Sequence, residues 1–271
     1  MEHLYEKALE SAAYIKAHTT KHPKVAVVLG SGLGNLTAGF TDTEELPYKD
    51  IPNFPVSTVA GHKGALLTGR LGEKEVYALE GRFHFYEGYT MKEVCYPFYV
   101  LRLLGVEQVV LTNACGGINR DFAPGTLMLI TDFINMMGTN PLIGPNMAEF
   151  GPRFPDMHNC YDQHLIIRAT RIAEEKGIKL QYGVYVGGTG PTFETQAEYR
   201  YFKAIGGDAA GMSTVPEVIV ARHMSIPVFG VSVITNCGLS DEVGDHEDVQ
   251  RQGAKAGVKM AELFMEMIKN L

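Results

Sequence analysis

The chain of 271 residues is long enough to bury a full hydrophobic core, and we expect one domain over residues 1–271. Hydrophobic residues make up 45% of it and charged residues 20%, which excludes a disordered, collagen-like or coiled-coil chain. Lys and Arg total 24 against 31 Asp and Glu, so the formal net charge is −7 at pH 7. This balance argues against a broad binding surface for nucleic acid or an anionic membrane, so any bound anion needs a local pocket.

The cysteine and histidine patterns argue against disulfides and metal sites. Four separated cysteines form no C-x-x-C pair, the nine histidines form no H-E-x-x-H motif, and no secretory leader precedes the first helical pattern. The longest apolar run is much shorter than the roughly 20 residues of a membrane span. We therefore predict reduced thiols, a cytoplasmic location, no metal and no transmembrane helix.

The first half of the chain mixes helical and extended patterns. Apolar spacing predicts helices over 4–17 and 94–104, strands over 25–29, 108–112 and 127–132, and a hairpin of 65–68 with 75–79. A Gly/Pro/Asn-rich segment over 138–157 is too long for an ordinary connection. Long ordered loops of this kind usually carry part of a functional site.

The second half continues the alternation. Helices are predicted over 161–176, 196–205 and 215–223, strands over 180–186 and 227–235, and a final amphipathic helix over 249–271. Alternating strands and helices predict an α/β sheet layered by helices, and the hairpin indicates that strand directions are mixed.

Three of the predicted strands end in small or amide residues, at 30–34, 113–117 and 236–238. Ligands of open α/β sheets bind beyond the carboxyl ends of strands, where small residues let backbone amides approach, so the three ends are predicted to share one crevice. For each alone, a tight strand-to-helix turn is the alternative. The first segment fits neither G-x-G-x-x-G nor a P-loop, which leaves Ser31 among backbone amides suited to free phosphate.

Two basic segments are candidates for anion binding. If 81–86 is extended, Arg82, His84 and Tyr86 lie on one side of it, where Arg82 can donate two hydrogen bonds to an oxyanion. An exposed edge strand with a solvated Arg82 is an equally weighted alternative. His62 lies in a glycine-bounded turn, for which plain solvation is the favoured interpretation.

Helix starts supply further candidates. Segments 195–198 and 214–217 both fit a capping box, so Glu194 and Ser213 lie just ahead of helix N-termini, where backbone amides favour negative charge. A local role in helix capping is the alternative for both. His246 lies in the first turn of the last helix, where it should stay neutral and able to hydrogen-bond a hydroxyl.

Taken together, these motifs resemble the trimeric, low-molecular-mass purine nucleoside phosphorylases over almost the whole chain. The matching segments are 30–34, 61–64, 81–89, 112–117, 190–195, 211–217 and 234–236. The resemblance implies a single nucleoside-phosphorylase domain with three α/β/α layers and a central mixed sheet. It also implies phosphorolysis of a purine nucleoside, with inorganic phosphate as co-substrate and no cofactor.

The resemblance also implies three groups of site residues. Those implied for phosphate are Ser31, His62, Arg82, His84, the Ala114 amide and Ser213. Those implied for the sugar are Tyr86, the Met212 backbone and His246, together with Phe154, which this family lends to a neighbouring subunit and which implies a homotrimer. Those implied for the base are Glu194 and Asn236, with Phe193 and Tyr185 lining the base and sugar pocket.

The chemistry of the bond agrees with these roles. Cleaving an N-glycosidic bond builds positive charge on the sugar and negative charge on the purine, and bound phosphate supplies both nucleophile and countercharge. Asn236 can donate to N7 or O6, and Glu194 can accept from N1–H, which favours 6-oxopurines such as inosine and guanosine. Together with His84, these are the expected catalytic residues.

Three alternatives remain open from the residues. A methylthioadenosine phosphorylase is disfavoured by Asn236, where an Asp would suit a 6-amino base, and by His246 at the sugar 5′ position. A hydrolase that uses water differs by lacking phosphate dependence. A non-catalytic purine-binding protein is the third alternative, because fold alone does not prove function.

Overall fold

The computed structural model describes residues 3–30, 33–59, 63–239 and 246–270, with backbone only at 34, 35, 246–250, 253 and 255. The helices in these ranges are α1 (Leu4–His18), α2 (Met91–Val94), α3 (Tyr96–Leu104), α4 (Gln163–Lys176), α5 (Gln196–Ala204), α6 (Val215–His223) and α7 (His246–Lys269). The strands are β1 (Val25–Val28), β2 (Thr41–Pro47), β3 (Ala65–Leu71), β4 (Lys74–Glu80), β5 (Gln108–Gly117), β6 (Leu127–Asn135), β7 (Leu180–Gly187), β8 (Ala209–Gly211) and β9 (Val228–Cys237).

The strands form one mixed sheet in the order β2-β3-β4-β1-β5-β8-β7-β6-β9. Strand β1 runs parallel to β4 and β5, whereas β3 runs antiparallel to β2 and β4. Strands β5 and β9 also pair with each other in parallel, so β5, β8, β7, β6 and β9 close into a ring. The predicted mixed sheet is therefore confirmed, although part of it is closed where an open sheet was expected.

The helices form two packed groups. In one group α1 packs on α3 and α3 on α6, and in the other α4 packs on α7, which also lies on β9. The central strands β1, β5 and β9 are buried over most of their length and their first halves are rich in valine, as expected for strands covered on both faces. The predicted three-layer α/β/α fold class is confirmed.

Two short or exposed strands were not predicted. Strand β2 is a largely exposed, acidic edge strand without an apolar face, and β8 has only three residues. The predicted helix over 94–104 is divided at Cys95 into α2 and α3. The predicted helix over 161–176 begins at Gln163, because the Asp162 side chain accepts hydrogen bonds from two amides of its first turn.

The carboxyl ends of β1, β5 and β9 lie side by side. The Gly30 amide donates to Thr112 Oγ1 at 2.9 Å, and a Cβ on Gly30 would lie only 2.8 Å from the Asn113 Cα. Only glycine allows this approach without displacing the backbone. The neighbouring β5 and β9 run in the same direction as β1, so the predicted adjacency of the three strand ends is confirmed.

Across the part of the chain that the structure describes, no helix combines the length and the apolar character needed to cross a bilayer.

Candidate active site

One cavity collects most of the predicted site residues. It lies at the carboxyl ends of β5 and β9, beside the loops that precede α5 and α6. The predicted residues on its wall are Arg82, His84, Tyr86, Ala114, Phe193, Glu194, Met212, Ser213 and Asn236. Residues implied for phosphate, sugar and base therefore meet in a single space.

Arg82 is held rigidly at one end of this cavity. Its guanidinium donates from Nε and Nη2 to the two carboxylate oxygens of Glu217, at 3.1 and 3.0 Å. Its Nη1 donates to the Thr112 carbonyl at 2.7 Å and lies 3.4 Å from Ser213 Oγ. The Arg82 side chain is only 3% exposed, so the alternative of a solvated arginine on an edge strand is wrong. The paired carboxylate fixes the guanidinium plane and compensates its buried charge.

The predicted capping box over 214–217 is also wrong. Thr214 makes no side-chain cap and adopts φ +71° and ψ −50°, while the Val215 amide donates to the Ser213 carbonyl at 2.7 Å. This is the geometry of a γ-turn, a strained conformation that needs support from its surroundings. Asn113 supplies it by donating from Nδ2 to Thr214 Oγ1 at 2.9 Å. The turn holds Ser213 beside Arg82.

The other predicted capping box is confirmed. Thr195 Oγ1 accepts from the Glu198 amide at 3.2 Å, and the Glu198 carboxylate accepts from the Thr195 amide at 2.7 Å. Helix α5 therefore begins at Gln196, and Glu194, which directly precedes the Thr195 cap, lies at the cavity wall.

His84 is oriented by a carboxylate three residues later. Segment 81–86 is not a continuous strand, because a short 3-10 helix forms at Phe85–Glu87 and Tyr86 stacks on the His84 ring at 4.7 Å between centroids. Glu87 Oε1 lies 3.0 Å from His84 Nδ1, and since a carboxylate only accepts, Nδ1 carries the hydrogen. Although burial acts to raise it, hydrogen bonds from His84 and Thr58 lower the pKa of Glu87 to about 2. The ring is thereby fixed beside Arg82.

The polar groups implied for the base lie together on the cavity wall. Burial raises the pKa of Glu194, and its Oε2 accepts a hydrogen bond from Tyr199 Oη at 3.1 Å. Asn236, near the end of β9, has its Oδ1 3.2 Å from Thr235 Oγ1. Phe193, which precedes Glu194, is half-exposed on the same wall. This end of the cavity offers an acceptor, an amide and an aromatic ring.

The structure adds residues that the sequence analysis missed. The cavity wall also includes Asn113, Cys115, Gly116, Tyr199, Ala210, Gly211 and Thr235. Asn113, Cys115 and Gly116 lie where β5 extends past its predicted end, whereas Ala210 and Gly211 lie on β8, which was not predicted. The sequence indicated Tyr199 only weakly, since it is an aromatic residue five positions after Glu194, in the first half of α5.

Tyr185 requires a correction. It is fully buried behind the cavity wall and does not line the pocket as expected. A Cβ on Gly211 would lie 2.3 Å from Tyr185 Oη, and the Ser213 amide donates to that oxygen at 3.4 Å. Tyr185 therefore supports the turn that carries Ser213.

Phe154 lies outside the cavity. It is 87% exposed, on a separate surface groove that includes Ile143, and the Arg153 guanidinium lies 5.7 Å from its ring centre. Ser31 and His62 lie outside the described residues. Helix α7 starts at His246, earlier than its apolar stripe indicated, so that His246 is in the first turn as predicted, and its side chain is outside the described part.

The four cysteines are all free in the structure, and Cys95, Cys115 and Cys160 are buried. Among the described residues, no three His, Cys, Asp or Glu side chains are grouped so that they could hold a metal ion.

Comparison with known proteins connects this site to a family. The family model described as the phosphorylase superfamily matches residues 24–269. The chain is 49% identical over 263 residues to purine nucleoside phosphorylase 1 of Bacillus subtilis, covering 96% of this chain and 95% of that protein. It is 44% identical over 279 residues to the purine nucleoside phosphorylase of Rattus norvegicus, covering 100% and 96%.

A solved structure agrees with these sequence matches. The crystal structure of Schistosoma mansoni purine nucleoside phosphorylase in complex with inosine superposes with a TM-score of 0.94 at 40% identity. The match covers 98% of this chain and 96% of that one. The expectation of this family, over the methylthioadenosine phosphorylases, is confirmed. The chain belongs to the purine nucleoside phosphorylases of the phosphorylase superfamily and is an enzyme.

Proposed function

We propose that this enzyme catalyses the reversible phosphorolysis of 6-oxopurine ribonucleosides and deoxyribonucleosides, such as inosine and guanosine. The C1′–N9 bond breaks, a phosphate oxygen bonds to C1′, and the products are the free purine and the pentose 1-phosphate. The observation that carries the proposal is the placement of the paired Arg82 and the Glu194–Asn236 pair on the wall of one cavity. The purine nucleoside phosphorylases among its relatives support the same reaction.

Phosphate is proposed to bind at the Arg82 end of the cavity. The Arg82 guanidinium and the Ser213 hydroxyl are held in position before any ligand arrives. His84, whose Nδ1 is hydrogen-bonded to Glu87, and the Ala114 amide lie on the same wall. We assign Ser31 and His62 to the same anion from their matching segments. Bound there, phosphate places negative charge beside C1′ as positive charge develops on the sugar, so no protein nucleophile is needed.

The base is proposed to bind at the other end. An ionised Glu194 accepts from N1–H, and the Asn236 amide donates to N7 or O6, where the departing purine gathers negative charge. Phe193 packs on the ring. An N1–H donor and a 6-oxo acceptor belong to hypoxanthine and guanine and not to adenine, so these two side chains select 6-oxopurines.

The sugar is proposed to lie between the two ends. Tyr86 and the Met212 backbone lie on the cavity wall and would contact its hydroxyls, with His246 donating or accepting at the 5′ position. Phe154 is almost fully exposed on the surface groove outside the cavity, so we assign it to the site of a neighbouring subunit in a homotrimer. We also propose that the reaction uses no cofactor and that inorganic phosphate is the second substrate.

The cellular role that follows is purine salvage in the cytoplasm. Cleavage recovers bases from nucleosides and keeps the pentose in phosphorylated form. The four free cysteines are consistent with a reducing compartment.

The test is ultraviolet monitoring of inosine with the purified protein, with and without inorganic phosphate. The proposal expects conversion to hypoxanthine only when phosphate is present. Equal conversion without phosphate would indicate a hydrolase, and binding of inosine without conversion would indicate a purine-binding protein. Preference for methylthioadenosine over inosine would indicate the other branch of the family.

A further inference from the structure

The phenol of Tyr199 occupies the end of the cavity assigned to the base. Its side chain is only 5% exposed and lies on the cavity wall with Glu194 and Asn236. Nothing in the proposed mechanism uses this hydroxyl, although it is within hydrogen-bond distance of a group that is expected to contact the purine.

Two glycines make room for the Tyr199 ring. A Cβ on Gly116 would lie 2.4 Å from Tyr199 Oη, and one on Gly238 would lie 2.0 Å from Cε1. Real Cβ atoms do not approach so closely, so neither position accepts a larger residue while the ring stays in place. Gln196 holds the same segment by donating from Nε2 to the Gly238 carbonyl at 3.1 Å. The glycines at these strand ends were expected to let the backbone approach a ligand. Gly116 and Gly238 instead leave space for the side chain of Tyr199.

The hydrogen bonds around the Tyr199 phenol have defined donors and acceptors. Glu194 Oε2 can only accept, so Tyr199 donates to it, and the phenol oxygen faces the Asn236 side chain, whose amide acts on it as a donor. The Asn236 Oδ1 in turn faces the Thr235 hydroxyl at 3.2 Å. Because the single phenol hydrogen is donated to Glu194, the group of Asn236 that bonds the phenol oxygen is the amide nitrogen, which leaves Oδ1 on the Thr235 side.

The same hydroxyl acts on the charge of Glu194. Burial raises the pKa of Glu194, and the bond from Tyr199 opposes that rise by stabilising the carboxylate. Burial and the Glu194 charge raise the pKa of Tyr199 itself, so the phenol remains a donor throughout the neutral range.

The protonation state of Glu194 decides which purine it suits. An ionised carboxylate accepts from the N1–H of a 6-oxopurine. A protonated carboxyl group donates instead, which suits the bare N1 of a 6-aminopurine. A group that keeps Glu194 ionised therefore also sets the choice between the two classes of base.

We propose that Tyr199 is a positioning residue that determines specificity, holding Glu194 ionised and the Asn236 amide in one orientation so that 6-oxopurines are preferred over 6-aminopurines. The inference rests on the proposed function. It assigns Tyr199 no contact with the reacting atoms.

The test compares Tyr199→Phe with the wild type and with Tyr201→Phe. The Phe variant keeps the packed ring and loses the hydroxyl, whereas Tyr201, on the same helix, is 51% exposed and serves as the matched control. We expect Tyr199→Phe to lower the ratio of kcat/KM for inosine to that for adenosine about tenfold, the effect of losing one hydrogen bond to a charged group. The acidic limb of the pH profile of kcat/KM for inosine should also move to higher pH in this variant, because Glu194 protonates more readily without the hydroxyl. Tyr201→Phe should match the wild type in both.

A second variant displaces the Tyr199 hydroxyl without changing Tyr199 itself. Gly238→Ala leaves Tyr199 intact and pushes its ring aside, so we expect the same loss of discrimination. The inference is overturned if folded Tyr199→Phe and Gly238→Ala proteins lose activity on both nucleosides equally, or keep both the wild-type ratio and the wild-type acidic limb. A wild-type protein that converts inosine without phosphate contradicts the proposed function instead, so the two failures are distinguishable.

Discussion

Arg82 and Glu217 form a two-point ion pair between residues 135 positions apart, with both side chains 3% exposed. Such a pair costs desolvation of both charges, and its geometry compensates only if all its hydrogen bonds are made. Here it also turns Nη1 towards Ser213. The pair therefore prepares the anion site in the folded chain.

Breaking this pair should weaken phosphate binding and the fold together. Glu217→Gln keeps the shape of the side chain and removes the charge that compensates Arg82. We expect the KM for phosphate to rise about tenfold, and the free energy of unfolding to fall by about 3 kcal/mol, as for a buried charge that loses its partner. Phosphate titrations and thermal melts measure the two effects. Glu174→Gln, at an exposed position on α4, is the control, and an unchanged KM for phosphate would contradict the role of the pair.

Glu87 should make stability depend on pH in a defined window. Its pKa is lowered from 4.5 to about 2, so its ionised form contributes stability above pH 4.5 that is lost as the pH falls towards 2. Glu87→Gln lacks that contribution at every pH. We expect the wild type to be the more stable at neutral pH, and the gap in melting temperature to narrow between pH 4.5 and 2. A control with Glu149→Gln, at an exposed carboxylate, should run parallel to the wild type, and a constant gap for Glu87→Gln would refute this account.

The amide of Asn236 should set base preference. In Asn236→Asp the new side chain accepts from the 6-amino group of adenine when ionised and donates to N7 when protonated, whereas a carboxylate repels O6 of hypoxanthine. We expect the ratio of adenosine to inosine cleavage to rise about tenfold, the discrimination that one such hydrogen bond provides. Initial rates on the two nucleosides measure it, and the same ratio in both proteins would contradict the role of the amide.

Phe154 should act on a neighbouring subunit. Its exposure predicts that Phe154→Ala folds normally and raises the KM for inosine, whereas Ile167→Ala, on α4 and 57% exposed, leaves that KM unchanged. Co-expression with Arg82→Ala sharpens the test. In a mixed oligomer, the intact Arg82 site of one chain receives Phe154 from the other, so activity should recover. No recovery, together with a monomer in sedimentation velocity, would contradict the shared site.

Much of the fold followed from local patterns. The apolar runs of β1, β5 and β9 and the capping box at Thr195 are short-range signals, and each predicts its element from its own residues. Strand β2 escaped prediction because an exposed edge strand needs no apolar face, and the pairing of β5 with β9 depends on contacts far apart in the chain.

The site residues also separate into those indicated by local patterns and those that depend on distant contacts. The types of the site residues and their order along the chain could be recognised from the sequence. The pairing of Glu217 with Arg82 could not, because a Glu three residues after Thr214 fits a capping box equally well. Tyr199 matters only because Gly116 and Gly238, from two other segments, leave space for its ring beside Glu194. Such side-chain relations arise from packing and carry no local periodicity.

The most direct test of the central claim is phosphorus NMR of the purified protein incubated with inosine and inorganic phosphate. The account predicts one molecule of sugar 1-phosphate for each molecule of hypoxanthine released, with the signal lost in Arg82→Ala. Hypoxanthine released without any organic phosphate, or an Arg82→Ala protein that forms the ester at the wild-type rate, would contradict it.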